Sequence, residues 1–135
     1  MSARIAAVAL LVRDYDEAVE WYCRCLGFRK LADTPLPDGK RWVTVAPRGE
    51  GTALLLARAV GEEQTSRIGD QAGGRVFLFL ETDDFARDYA AMLAADVAFR
   101  ELPRKEAYGT VAVFADLYGN LWDLIQPAAG RQAAV

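Results

Sequence analysis

The sequence predicts an α+β fold: two βαβββ modules, paired so that their curved sheets enclose a cleft. Three observations carry that prediction. Strand-like and helix-like segments run twice through the order β-α-β-β-β. Each helix-like segment opens on aspartate, a residue that caps orphan N–H groups. The two passes also align with each other in sequence.

The first module covers residues 4–60. Residues 4–12, RIAAVALLV, form an apolar run of strand length bounded by charge. Asp14 and Glu17 have the spacing of a capping box. Ala18, Val19, Tyr22 and Leu26 then form an amphipathic stripe, and Gly27 is the expected helix stop. Residues 28–31 start a strand. PLPDGK, residues 35–40, reads as a hairpin turn around Asp38-Gly39. Residues 41–46 and 52–57 are the third and fourth strands, separated by Gly49 and Gly51.

Residues 61–74 are polar, end in Gly-Gly and read as a linker with a short helix at 62–68. The second module, residues 75–127, then restarts the pattern. RVFLFLE is a strand, Asp83-Asp84 opens a helix over 85–95, and 97–100 is a strand. Residues 103–108 read as a loop, and 110–115 and 121–126 as the closing strands. Residues 1–127 make one domain of two modules, with 128–135 a C-terminal tail.

The internal alignment is direct. RDYDEAVEWY matches DDFARDYAAM, FRK matches FRE, and RGEGTALLLA matches LYGNLWDLIQ, at spacings of 70, 71 and 69 residues. Alternation along each strand assigns the faces. Val8, Leu10 and Val12 are expected against the helix, and Ala7, Ala9 and Leu11 on the cleft. In the second module Phe77, Phe79 and Glu81 take the cleft side.

Composition narrows the function classes. The chain of 135 residues is 53% hydrophobic and 26% charged, with a net charge of −3. That balance argues against a nucleic-acid or anionic-membrane partner. The longest apolar run is too short to span a bilayer, and no secretory signal is legible, so a cytoplasmic protein is expected. Cys23 and Cys25 lie two apart on a predicted helix, pointing to different faces, so neither a disulfide nor a shared metal is expected. There is no histidine. Any Ser-His-Asp, Cys-His or His-metal mechanism is therefore excluded within this chain. The glycine-containing stretches lack phosphate-loop spacing.

Three motifs, VALLVRDYDEAVEWYCRCLGF, FLETDDFARDYAAM and DLYGNLWDLIQ, together resemble the vicinal-oxygen-chelate superfamily of glyoxalases, bleomycin-resistance proteins and extradiol dioxygenases. The resemblance covers about residues 4–127. It implies a metal-binding cleft in the metal-dependent members, with ligands contributed by strands of both modules. Carried over by motif, those ligand positions fall on Ala7, Leu54, Phe77 and Asp123. Three of the four bear no donor atom, so neither a metal nor another cofactor is expected.

The resemblance then implies the bleomycin-resistance branch. That branch is metal-independent, holds a hydrophobic or aromatic metabolite or drug in an apolar cleft, and is often a homodimer. The candidate ligand contacts are Ala7, Arg41, Leu54, Phe77, Phe79, Tyr108 and Asp123. For Asp123 the alternatives are a ligand contact, a pair with a nearby arginine, or a solvated strand residue. Glu81 is expected to be solvated at a strand end. Arg41 and Trp42 must face opposite ways, and by size Trp42 is expected in the core. Trp122 is expected under a helix, and Trp21 partly exposed. The competing readings are a lyase or isomerase using Asp123, Tyr108 or Glu81 as acid or base, and an interaction module with a filled cleft.

Overall fold

A computed structural model of the chain describes residues 2–129. The chain divides into two compact units, with the boundary between Ile68 and Gly69. Residues 130–135, most of the expected tail, lie outside the described residues.

The first unit contains β1 (Ala7–Val12), α1 (Tyr15–Leu26), β2 (Arg29–Pro35), β3 (Arg41–Ala46), β4 (Ala53–Arg58) and α2 (Gly61–Ser66). Its sheet runs β1-β4-β3-β2, with β1 parallel to β4 and the other pairs antiparallel. The aspartate signal at the start of α1 acts as expected. The Glu17 amide donates to Asp14 Oδ2 at 2.8 Å. Gly27 ends the helix at φ 68°, a backbone conformation that costs glycine little. Tyr15, Ala18, Tyr22 and Cys25 form the buried stripe of α1. The helix packs on β2, β3 and β4. Leu10, Val12, Val43, Val45 and Leu56 supply the fully buried sheet side of this core. The β2–β3 connection places both Asp38 and Gly39 at positive φ, as an Asp-Gly turn requires.

The second unit contains β5 (Val76–Glu81), α3 (Phe85–Ala94), β6 (Ala98–Phe99), β7 (Arg104–Glu106), β8 (Gly109–Ala115) and β9 (Leu121–Pro127). Its sheet runs β5-β9-β8-β6, with β7 also paired to β8 and β5 parallel to β9. The strand order therefore repeats that of the first unit. Asp84 caps α3 by accepting from the Arg87 amide at 3.1 Å, and Gln126 Oε1 accepts from the Phe85 amide at 2.8 Å. A row of rings runs through this core. Phe85 stacks on Tyr89, Tyr89 meets Phe99 edge-on at 4.7 Å, Phe99 contacts Phe114, and Phe114 stacks on Trp122. Trp122 is 3% exposed, the core position expected for it.

The edge of this second sheet departs from the sequence reading. The strand expected over 97–100 shrinks to Ala98–Phe99, because Leu102-Pro103 breaks the edge. The loop expected over 103–108 is instead β7 and a two-residue turn, Ala107-Tyr108. Arg-Lys-Glu carries no apolar signal because all three residues are exposed, and β7 is held through its backbone pairing with β8. The 61–74 linker is also partly fixed. The Gln71 amide donates to Asn120 Oδ1 at 3.3 Å. Gly69, at φ +77°, lies so close to the β8–β9 turn that a Cβ there would sit 1.9 Å from the Tyr118 carbonyl oxygen. Among the described residues no helix is long and apolar enough to cross a membrane.

Removing either cap, by Asp14→Ala or Asp84→Ala, is expected to cost about 0.5–2 kcal/mol of stability, read from the urea midpoint. Gly69→Ala should lower the midpoint further, since its clash is with backbone and its φ is unfavourable for alanine.

Candidate functional site

In each unit the helix covers one sheet face, and alternation sends every second side chain to the other. The first unit fixes its parity by register. Val8 pairs with Leu54 and Leu10 with Leu56 on β4, while Val43 and Val45 of β3 pair with Leu56 and Leu54. This set lies against α1. The intervening set, Ala7, Ala9, Leu55 and Thr44, lies on the helix-free face.

Leu54, expected on the cleft side, is 5% exposed and belongs to the helix side. The residue register-equivalent to Asp123 is Leu55. With Asp14 and Asp84 aligned as caps, Ala9 corresponds to Phe79; Ala9 pairs with Leu55, and Phe79 pairs with Asp123. Three consecutive leucines, 54–56, carry no alternation that distinguishes one residue from the next.

Arg41 and Trp42 do face opposite ways, but in the reverse sense. Trp42, expected in the core, is 48% exposed and shares the helix-free face with Thr44. Arg41 shares the helix side. Its Nη2 donates to Asp33 Oδ2 at 2.7 Å and to Asp16 Oδ1 at 2.9 Å, and its Nε donates to Asp33 Oδ1 at 3.1 Å. Its guanidinium lies 5.1 Å from the centre of the Tyr15 ring, with the Arg58 guanidinium at 5.3 Å from the same ring. The hydrogen bonds from Arg41, and then from Lys30, hold the Asp33 carboxyl down at about 2. Arg41 is committed to tying β2 and β3 to α1. The signal for Trp42 is present in Arg-Trp-Val-Thr-Val, where two core valines force Trp42 and Thr44 outward.

In the second unit Phe79, Asp123 and Val113 form one row across β5, β9 and β8. The neighbouring rows, Leu78 with Trp122 and Leu80 with Leu124, face α3. Phe79 is 47% exposed. Phe77 is half-buried where the β5–β9 register shifts, between Val76 and Leu78. Glu81 is exposed at its strand end, as expected. Tyr108 occupies the β7–β8 turn, and its carbonyl accepts from the Ala128 amide at 2.9 Å.

Asp123 is half-buried, and its Oδ1 is fully buried without a hydrogen-bond partner. Burial pushes its carboxyl above the ordinary range; the field of Arg104 opposes that shift and the field of Glu101 adds to it. Sequence reasoning missed both of these groups. Arg104 does not hydrogen-bond Asp123. Its Nε donates to Glu101 Oε1 at 2.8 Å and its Nη1 to Glu106 Oε2 at 2.7 Å. Glu101 Oε2 also accepts from the Val113 amide at 3.0 Å. Among the described residues no group of three or more His, Cys, Asp or Glu is placed to hold a metal ion. With the register corrected, the family's ligand positions hold a methyl, an isobutyl, a phenyl and one carboxylate. These residues do not fit the metal centre of the metal-dependent members.

The profile of the Glyoxalase/Bleomycin resistance protein/Dioxygenase superfamily matches residues 4–124, and the chain belongs to that superfamily. A protein of Shewanella frigidimarina (strain NCIMB 400) is 55% identical over 93% of this chain and 95% of its own length. The chain is also similar to TnmS3, an antibiotic binding protein from Streptomyces sp. CB03234. Those structures share 32% identity and a TM-score of 0.77 over 94% of this chain and 98% of the other. UcmS2 gives 31% identity and a TM-score of 0.79 over 93% of this chain and 98% of its own.

A carboxyl raised in the folded state is destabilising once ionised. Its contribution is most favourable below the unfolded value near 3.8 and is lost as pH rises through the higher folded value. Asp123→Asn should therefore raise the melting temperature relative to wild type at pH 7, with the gain fading as pH falls through the raised folded value and gone below about 4. Arg41→Ala, by contrast, should lower stability at neutral pH.

Proposed function

We propose that this protein binds a hydrophobic, aromatic small molecule on its helix-free sheet faces, without a metal or other cofactor. The observation that carries the reading is Trp42. A large indole stands half-exposed on the helix-free face, opposite the small Thr34 of β2 and two residues from Thr44 on its own strand. Nothing in the core needs it there, since α1 packs on the opposite side. Phe79 offers a second exposed ring on the corresponding face of the second unit, with Phe77 beside it. A flat ligand gains about 0.5–1.5 kcal/mol per ring contact beyond area burial. Membership of a superfamily that includes bleomycin-resistance proteins, and 32% identity to an antibiotic binding protein, support a drug-like or metabolite ligand. We further propose that the protein works as a cytoplasmic homodimer, with the two units forming one domain.

A second reading is favoured by one observation. The unpaired, raised carboxyl of Asp123 has the character of a general acid or base, which suits a glyoxalase-like lyase or isomerase. Tyr108 would be its partner candidate.

A panel of hydrophobic antibiotics and aromatic metabolites, read by thermal shift and then by tryptophan quenching, tests the first reading. Trp42→Ala should weaken the best ligand about tenfold, the loss of roughly one stacking contact. Arg41→Lys should leave affinity within about twofold, since that guanidinium serves the helix side. Unchanged affinity in Trp42→Ala would overturn the reading.

A further inference from the structure

We infer that the ligand of the second unit's helix-free face donates a hydrogen bond from an amino group to the carboxylate of Asp123, a group left short of donors within the chain. The preferred class is thus an aromatic amine, protonated or carrying N–H donors. The inference rests on the aromatic-binding reading above and adds the polar half of recognition.

A buried acceptor without a partner leaves its desolvation cost uncompensated, and a charged one the more so. Asp123 Oδ1 is such an acceptor, in the middle strand row of the unit. The chain has the means to avoid that cost, because the register-equivalent position in the first unit holds Leu55 on the same scaffold. The nearby donor does not relieve it. The Arg104 guanidinium is directed to Glu101 and Glu106, and the Val113 amide goes to Glu101. Glu101 adds negative potential at Asp123. Directly beside Asp123 across the β5–β9 pair stands Phe79, 47% exposed. A ring stacked on Phe79 therefore brings its edge substituents to the carboxylate. An N–H there supplies the missing donor, and a positive charge makes the bond charge-assisted and stronger. A ligand edge bearing only acceptors leaves Oδ1 unpaired and adds repulsion.

The test uses two probes of one ring system on the full-length protein at about pH 7.5. They are 9-aminoacridine, a cation with amino donors, and acridine, largely neutral and without that group. Wild type should bind 9-aminoacridine about tenfold or more tighter than acridine. Asp123→Leu, which copies the side chain of Leu55, should erase the preference and leave acridine binding within about twofold. Asp123→Asn, which keeps the shape, should reduce the preference and serves if the leucine variant does not fold. Without ligand, either variant should melt above wild type at that pH. Equal affinity of wild type for both probes, or a preference that survives in the variants, would overturn the amine assignment while leaving the aromatic face standing. If neither probe binds, the amine assignment falls, while the aromatic reading is decided by the antibiotic and metabolite panel and Trp42→Ala.

Discussion

The buried carboxylate of Asp116 is the interaction on which the second unit's candidate site depends. It is 6% exposed. Its Oδ1 accepts from the amides of Tyr118, Gly119 and Asn120, and its Oδ2 from Asn120 Nδ2 and Trp122 Nε1. Those bonds close the β8–β9 turn and lock the second residue of β9 in place. Once Trp122 is pinned against the carboxylate and stacked on Phe114, strand alternation leaves Asp123 no choice but the opposite face. A turn aspartate thereby decides where a strand aspartate points. The same turn receives Gly69 and Gln71, so the chain entering the second unit is fixed by it as well.

Much of this was legible in the sequence because it is local. Asp-capped helices, the Asp-Gly turn and the repeat of strand order rest on spacings that a single chain displays. The side of Asp123 was also legible, since Trp122 and Leu124 flank it with core-type side chains. The first unit was harder. Its β4 reads Ala-Leu-Leu-Leu-Ala, so hydrophobicity does not distinguish the two faces, and only the pairing with β1 resolves Leu54 from Leu55. For Trp42, size and alternation point opposite ways, and alternation wins because Val43 and Val45 settle the parity of β3. Edge strand β7 was illegible for a different reason. Its stabilisation is backbone pairing, which leaves no side-chain pattern to read.

Arg41 shows how a residue of binding character can be absorbed by the scaffold. An arginine beside a turn is a reasonable ligand contact. Here two carboxylates and the Tyr15 ring satisfy its guanidinium. Arginine suits that task, because its planar fork pairs with Asp33 through two bonds while its face meets an aromatic ring. Those contacts involve side chains from β2, β3 and α1. They become visible only once the strand register places Asp33 opposite Val43, the next residue after Trp42 and thus on the same face as Arg41.

The two units share a scaffold but not a face, and the pattern of their differences bears on function. Toward the helices both present the same kind of surface: Leu10, Val12 and Leu56 in one, Leu78, Leu80 and Leu124 in the other. Away from the helices the equivalent positions diverge. Ala9, Leu55, Thr44 and Trp42 in the first unit correspond to Phe79, Asp123, Val113 and Val111 in the second, matched through the strand registers. Each face carries one exposed ring, placed on β3 in one unit and on β5 in the other. Folding requires the helix-side set, because burial there supplies the core. It does not require a half-exposed indole, a half-exposed phenyl or a buried carboxylate oxygen without a partner. Those three features sit where the duplicated scaffold is free to vary. Half-exposed rings beside an unpaired carboxylate on a helix-free face have the composition of a small-molecule site, and that is the basis for placing the proposed ligand there.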